Sequence, residues 1–61
     1  MPEIYVNMVE GRTLDQKRAL IQDITKAVVT HLKVEPGTVM VQIVECSRDN
    51  KAKGGVLFSE R

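Results

Sequence analysis

Pro2 is the residue whose chemistry depends most on its place in the chain. It follows Met1, and removal of an initiator methionine is expected when a small residue such as proline comes next. Removal would leave a secondary amine, which can take and return a proton if its pKa lies near the working pH. Burial and a neighbouring cation would each lower that pKa, because each disfavours the protonated form. The alternative is structural: Pro2 starts an edge strand, where its missing N–H does no harm.

Arg12 is the second candidate, because it stands at a turn between an alternating segment and a helical one. Its guanidinium can bind a carboxylate through two parallel hydrogen bonds. Sites often form where strands open into loops. The alternative interpretation of Arg12 is a solvent-exposed surface arginine.

Three further features are weaker candidates. His31 lies near the expected helix end, where a positive charge suits the helix dipole, and we expect a structural role. Cys46 has no base beside it in sequence and is typical of a small buried apolar residue. Arg48, Lys51 and Lys53 form a basic loop that either faces solvent or helps to hold an acidic substrate.

Periodic segments predict the elements that position these residues. Alternating side chains predict strands over residues 2–9 and 38–46. Between them, apolar residues recur at steps of three and four over residues 14–32, which predicts an amphipathic helix. Thr13 and Gln16 have the spacing of a capping box, which marks the helix start. Two strands joined through a helix predict a right-handed parallel β-α-β unit.

The rest of the chain predicts a short closing element. Residues 47–53 form a polar loop, Gly54-Gly55 a turn, and residues 56–58 a short strand. A length of 61 residues suits one domain, so we expect residues 1–61 to form a single domain of the α+β class.

Size and patterning both predict self-association. A core in a chain below roughly 70–80 residues rarely supplies more than about 3–5 kcal/mol. The single cysteine excludes an internal disulfide, and His31 and Cys46 are too few for a four-ligand zinc site. One helix covers one face of a two-stranded sheet, yet both strands carry apolar residues on both faces. The uncovered face therefore requires another subunit.

Composition argues against several other partners. Nine Lys and Arg against eight Asp and Glu leave a net charge of +1, which offers no footprint for nucleic acid. No apolar run approaches the roughly 20 residues of a membrane span, and the amino terminus lacks the pattern of a signal peptide. A lone free cysteine suits a reducing compartment, so we expect a cytoplasmic protein.

The order of these residues resembles the 4-oxalocrotonate tautomerase family. Pro2, strand residues 4–9 and the stretch Glu10-Gly11-Arg12-Thr13-x-x-Gln16-Lys17 match the pattern of that family. The helix, the second strand ending at Glu45 and the Gly54-Gly55 turn fit in register without gaps. The resemblance therefore covers nearly the whole chain.

The resemblance implies a tautomerase-type (MIF-like) β-α-β subunit with a short C-terminal β-hairpin, assembled as a homohexamer, a trimer of dimers. It implies an isomerase of aromatic hydrocarbon catabolism that uses neither cofactor nor metal. Such an enzyme moves a proton on a 2-hydroxy or 2-oxo unsaturated acid and converts enol to ketone. By resemblance, Pro2 is the base and then the acid, Arg12 binds a substrate carboxylate, and Met8 lines the pocket.

Two positions depart from the family's pattern. The family's second strand carries another arginine, which polarises the substrate's 2-oxygen, and Met40 stands at that position. An aromatic residue of the family's loop shields the proline, and Lys51 stands there. Both Met40 and Lys51 are expected to line the substrate pocket. Lys51 is the candidate to replace the lost charge, with help from Lys53 or Arg48. Loss of an oxyanion stabiliser can cost about 10²–10³ in rate, which predicts poor or altered activity toward the family's muconate substrate.

Two other functions remain open at this point. A dehalogenase-like lyase would add water to a haloacrylate with the help of a carboxylate. Asp49 and Glu45 are nearby in sequence, but neither is clearly placed for it. The second alternative is a non-catalytic or weakly active subunit of a hetero-oligomer, which would tolerate Met40 and Lys51.

Overall fold

The computed structural model describes residues 1–61 as a β-α-β unit followed by a small hairpin. Strand β1 spans Glu3–Val9, helix α1 spans Leu14–Leu32 and strand β2 spans Met40–Cys46. The hairpin pairs β3 (Ala52–Lys53) with β4 (Val56–Leu57) in antiparallel orientation. The predicted α+β fold, with its short C-terminal hairpin, is confirmed.

The two long strands form a parallel two-stranded sheet, as predicted. Glu3 lies opposite Met40 and Val9 lies opposite Cys46, so the strands are in register along their whole length. Exposure alternates along both strands up to their carboxyl ends, which separates a helix-facing side from an open side. The half-buried side chains of the helix-facing side are Ile4, Val6, Met8, Val41 and Ile43.

Helix α1 has the predicted bounds because its start is encoded locally. The Thr13 hydroxyl accepts a hydrogen bond from the Gln16 backbone N–H (3.2 Å), and the Gln16 side-chain oxygen accepts one from the Thr13 N–H (3.0 Å). The predicted capping box is therefore present. The helix ends at Leu32 and is capped by Lys33, which adopts a left-handed conformation and donates its N–H to the Val29 carbonyl (3.0 Å).

Several boundaries differ from the prediction. Strand β1 starts at Glu3 instead of residue 2, and Ala52–Lys53 forms β3 within the expected polar loop. Short 3₁₀ helices take part of three other expected segments. Pro36–Thr38 forms one, so β2 starts at residue 40 instead of 38. Arg48–Asn50 forms another within the expected polar loop, capped by Ser47, whose hydroxyl accepts from the Asp49 N–H (3.2 Å). Phe58–Glu60 forms the third, so the last strand stops before residue 58.

The open side of the sheet is apolar and uncovered in the isolated chain. No residue of the single subunit is buried. Tyr5, Met40 and Val44 share the face opposite α1 and remain 56%, 50% and 40% exposed. Large apolar side chains that share one exposed face mark an interaction surface. None of the helices combines the length and apolar character of a membrane-spanning segment.

Candidate active site

Arg12 is held between the end of β1 and the cap of α1. The Glu10 N–H donates to the Cys46 carbonyl (2.9 Å), which extends the strand pairing by one residue. Gly11 then turns the chain with a φ of 125°, a conformation that residues with a side chain rarely adopt. Thr13 follows at once as the helix cap, so the backbone of Arg12 is fixed from both sides.

Two adjoining cavities meet at Met8 and Arg12, which line both of them. The first, of about 220 Å³, is completed by residues of α1: Gln16, Lys17 and Leu20. The second, of about 290 Å³, is completed by the β1–α1 loop and by the segment after β2: Val9, Glu10, Gly11 and Arg48. An apolar side chain and a guanidinium thus share one concave surface.

The charges around Arg12 are unevenly compensated. Lys17 Nζ lies 2.6 Å from Glu45 Oε1, and the two side chains are only 25% and 31% exposed. The chain's other ion pair joins Arg18 to Asp15 on the surface of α1. Arg12 and Arg48 take part in no ion pair, and Glu10 is the only acidic residue that lines either cavity. The cavities therefore present uncompensated positive charge.

Pro2 lies at the opposite end of the subunit from Arg12. The seven residues of β1 span about 20 Å, and Pro2 precedes this strand whereas Arg12 follows it. Pro2 is half-buried, and its carbonyl accepts the Met40 N–H (3.0 Å). One small substrate cannot touch both residues of the same subunit.

Lys51 lies beyond the carboxyl end of β2, on the same side of the subunit as Arg12. Its Nζ is 5.7 Å from the centroid of the Phe58 ring, and the Arg61 guanidinium lies 5.0 Å from the same centroid.

The site residues named from the sequence fall into two groups according to their position along the sheet. Pro2 and Met40 lie at one end of the sheet, and the others lie at the opposite end: Met8, Arg12 and Lys51.

Several lining residues were missed from the sequence. Leu20, one of the apolar residues of the predicted helix over 14–32, is 37% exposed and lines the first cavity. Lys17 could have been identified from the sequence, because it belongs to the family-like stretch that begins at Glu10.

Two other candidates named from the sequence lie outside the cavities. His31 is exposed in the last turn of α1, and half-buried Cys46 lines neither cavity. No cluster of three His, Cys, Asp or Glu side chains that could hold a metal ion is found.

Comparison with known proteins gives the family. The chain matches the model of the family described as tautomerase enzyme over residues 2–61. A probable tautomerase of Bradyrhizobium diazoefficiens is 49% identical over 61 residues, which cover 100% of this chain and 91% of the relative. The 2-hydroxymuconate tautomerase of Bacillus subtilis is 37% identical over 60 residues, which cover 98% of this chain and 97% of the relative.

Solved structures agree with these relatives. A crystal structure of a 4-oxalocrotonate tautomerase homologue matches with a TM-score of 0.95 at 36% identity, covering 100% of this chain and 97% of that chain. A heterohexameric 4-oxalocrotonate tautomerase from Chloroflexus aurantiacus matches with a TM-score of 0.90 at 27% identity, covering 98% and 97%. The family expected from the sequence is confirmed: the chain belongs to the tautomerase family and is an isomerase.

Proposed function

We propose that the chain is a cofactor-independent tautomerase that moves a proton on an unsaturated 2-hydroxy or 2-oxo acid. The observation that carries the proposal is the cavity at Met8 and Arg12, where an uncompensated guanidinium lies beside an apolar side chain. This pairing suits an acid with a carboxylate at one end and a conjugated hydrocarbon segment behind it.

The proton is carried by the amine of Pro2 after Met1 is removed. The amine takes the proton of the substrate's enol hydroxyl. The C–O bond then becomes the C=O of a ketone as the carbon–carbon double bond shifts along the conjugated chain. The same nitrogen, now protonated, returns the proton to a carbon of that chain. Pro2 is therefore base and then acid, and it ends the cycle uncharged. Arg12 holds the carboxylate through two parallel hydrogen bonds.

Each active site takes Pro2 from one subunit and Arg12 from another. The separation of these residues by the length of β1 supports this arrangement, because one subunit cannot offer both to a small acid. The apolar open face of the sheet supports the assembly that it requires. We infer a homohexamer, a trimer of dimers, in which each chain contributes the single domain of residues 1–61. In such a site Met40 belongs to the subunit that supplies Pro2, and Met8 and Lys51 belong to the subunit that supplies Arg12.

Mass spectrometry of the purified chain and the ketonisation of phenylenolpyruvate test the role of Pro2. We expect the mass without Met1, and a rate in Pro2→Ala that is lower by about 10²–10⁴. Pro36→Ala is the matched control, because Pro36 starts the 3₁₀ helix before β2 and lines neither cavity. Retention of Met1 in active protein, or equal rates in wild type and Pro2→Ala, would remove Pro2 from the mechanism.

One relative favours a second candidate function, a subunit of a hetero-oligomer. The similar protein from Chloroflexus aurantiacus is a heterohexamer, and Met40 leaves the family's second arginine position without a cation. Ketonisation by the chain purified alone separates the two functions, because a subunit that depends on a partner is inactive by itself. A dehalogenase-like lyase has less support, since the Glu45 carboxylate is engaged by Lys17.

A further inference from the structure

Besides Arg12, two cations line the cavities, Lys17 and Arg48, and only one of them is unengaged. Lys17 is paired with Glu45 at 2.6 Å. Lys51 lines neither cavity and lies over the ring of Phe58. Arg48 has no ion pair and lies over no aromatic ring. It is therefore the cation that remains available to a ligand.

Arg48 reaches back from the segment after β2 toward the loop that carries Arg12. It is the first residue of the 3₁₀ helix that Ser47 caps, so its backbone is anchored. Its Nη2 lies 3.9 Å from the position that a Cβ atom on Gly11 would take. Both arginines line the cavity of about 290 Å³, in which Glu10 is the only carboxylate.

We propose that Arg48 is a second carboxylate-binding residue, which together with Arg12 holds the acid group of the substrate. Two guanidinium groups on one cavity repel each other, and an anion bound between them relieves that repulsion. Each guanidinium presents a planar set of donors that matches a carboxylate. The inference rests on the proposed tautomerase function and names the binding group for its acid substrate.

Binding of trans,trans-muconate measured by calorimetry tests this role without turnover. This unsaturated dicarboxylate lacks the hydroxyl that the reaction requires. We expect Arg48→Ala to raise the Kd about 10-fold or more, since hydrogen bonds to charged groups are among the strong ones. Arg48→Lys should fall between wild type and Arg48→Ala, because it keeps the charge and loses the fork. Arg18→Ala, the matched loss of an arginine outside both cavities, should stay within about twofold.

Kinetics on phenylenolpyruvate provide a second readout. Arg48→Ala should raise KM with a smaller change in kcat, because Arg48 holds the acid group and does not carry the proton. Light scattering should give the same molar mass for variant and wild type, and Arg48→Gln is used in its place if Arg48→Ala dissociates. A Kd within twofold of wild type in the assembled Arg48 variant would overturn the inference.

The two proposals fail in distinguishable ways. An inactive wild type that binds muconate through Arg48 would refute the proposed reaction and support the carboxylate role of Arg48. An active wild type whose Arg48 variant binds muconate normally would refute the role of Arg48 and leave the reaction intact.

Discussion

Replacing Val44 with aspartate tests whether the open face of the sheet is a subunit interface. Val44 lies on β2, faces away from α1 and is 40% exposed in the isolated chain. Full burial of a valine side chain contributes about 1.5–3 kcal/mol, so covering the remaining two-fifths contributes about 0.6–1.2 kcal/mol per subunit. Aspartate loses this contribution and adds several kcal/mol for removing an unpaired carboxylate from water. The penalty recurs in every subunit of the assembly.

The assay is light scattering combined with thermal unfolding at several subunit concentrations. We expect wild type to remain one oligomer whose Tm rises with concentration, because assembly and folding are linked. Val44→Asp should dissociate and unfold at a lower temperature. Gln22→Asp adds the same charge at an exposed position of α1 and should leave the molar mass unchanged. A Val44→Asp protein with wild-type mass and Tm would refute the assignment of this face to an interface.

The remaining predictions concern the start of α1 and the residue beside Pro2. Thr13→Ala removes the hydroxyl that accepts the Gln16 N–H and should lower the free energy of unfolding by about 1 kcal/mol in a urea titration. Thr13→Ser should retain most of the stability, and an equal loss in both variants would contradict the capping role. Met40→Arg supplies a cation at the end of β2 nearest Pro2 and should raise kcat for ketonisation by up to about 10²-fold. An unchanged kcat in assembled Met40→Arg protein would show that residue 40 lies away from the reacting oxygen.

Local signals explain why the main elements could be predicted from the sequence. The start of α1 depends on Thr13 and Gln16, which are three residues apart, so the capping box can be identified from the sequence without knowledge of any tertiary contact. The alternation of β1 and β2 follows from the pleat of a strand, whose side chains point to opposite faces in turn. The predicted start of β2 was two residues early, because the alternation extends back to residue 38 whereas Pro36–Thr38 forms a 3₁₀ helix.

The composition of the site depends on contacts that no local pattern contains. Arg48 approaches Gly11 only because β1 and β2 pair in parallel and bring the segments that follow them to the same end of the sheet. Lys51 meets Phe58 only once the hairpin folds back. Resemblance to the family names Pro2 and Arg12, but it does not reveal that the length of β1 separates them within one subunit.

Co-assembly of two inactive variants tests most directly whether Pro2 of one subunit works with Arg12 of another. Pro2→Ala and Arg12→Ala chains are coexpressed in equal amounts, purified as mixed oligomers and assayed for ketonisation of phenylenolpyruvate. Each variant alone should be nearly inactive. In random mixtures about one site in four combines an intact Pro2 with an intact Arg12, so about a quarter of the wild-type rate should return. A mixture as inactive as either parent would contradict a site shared between subunits.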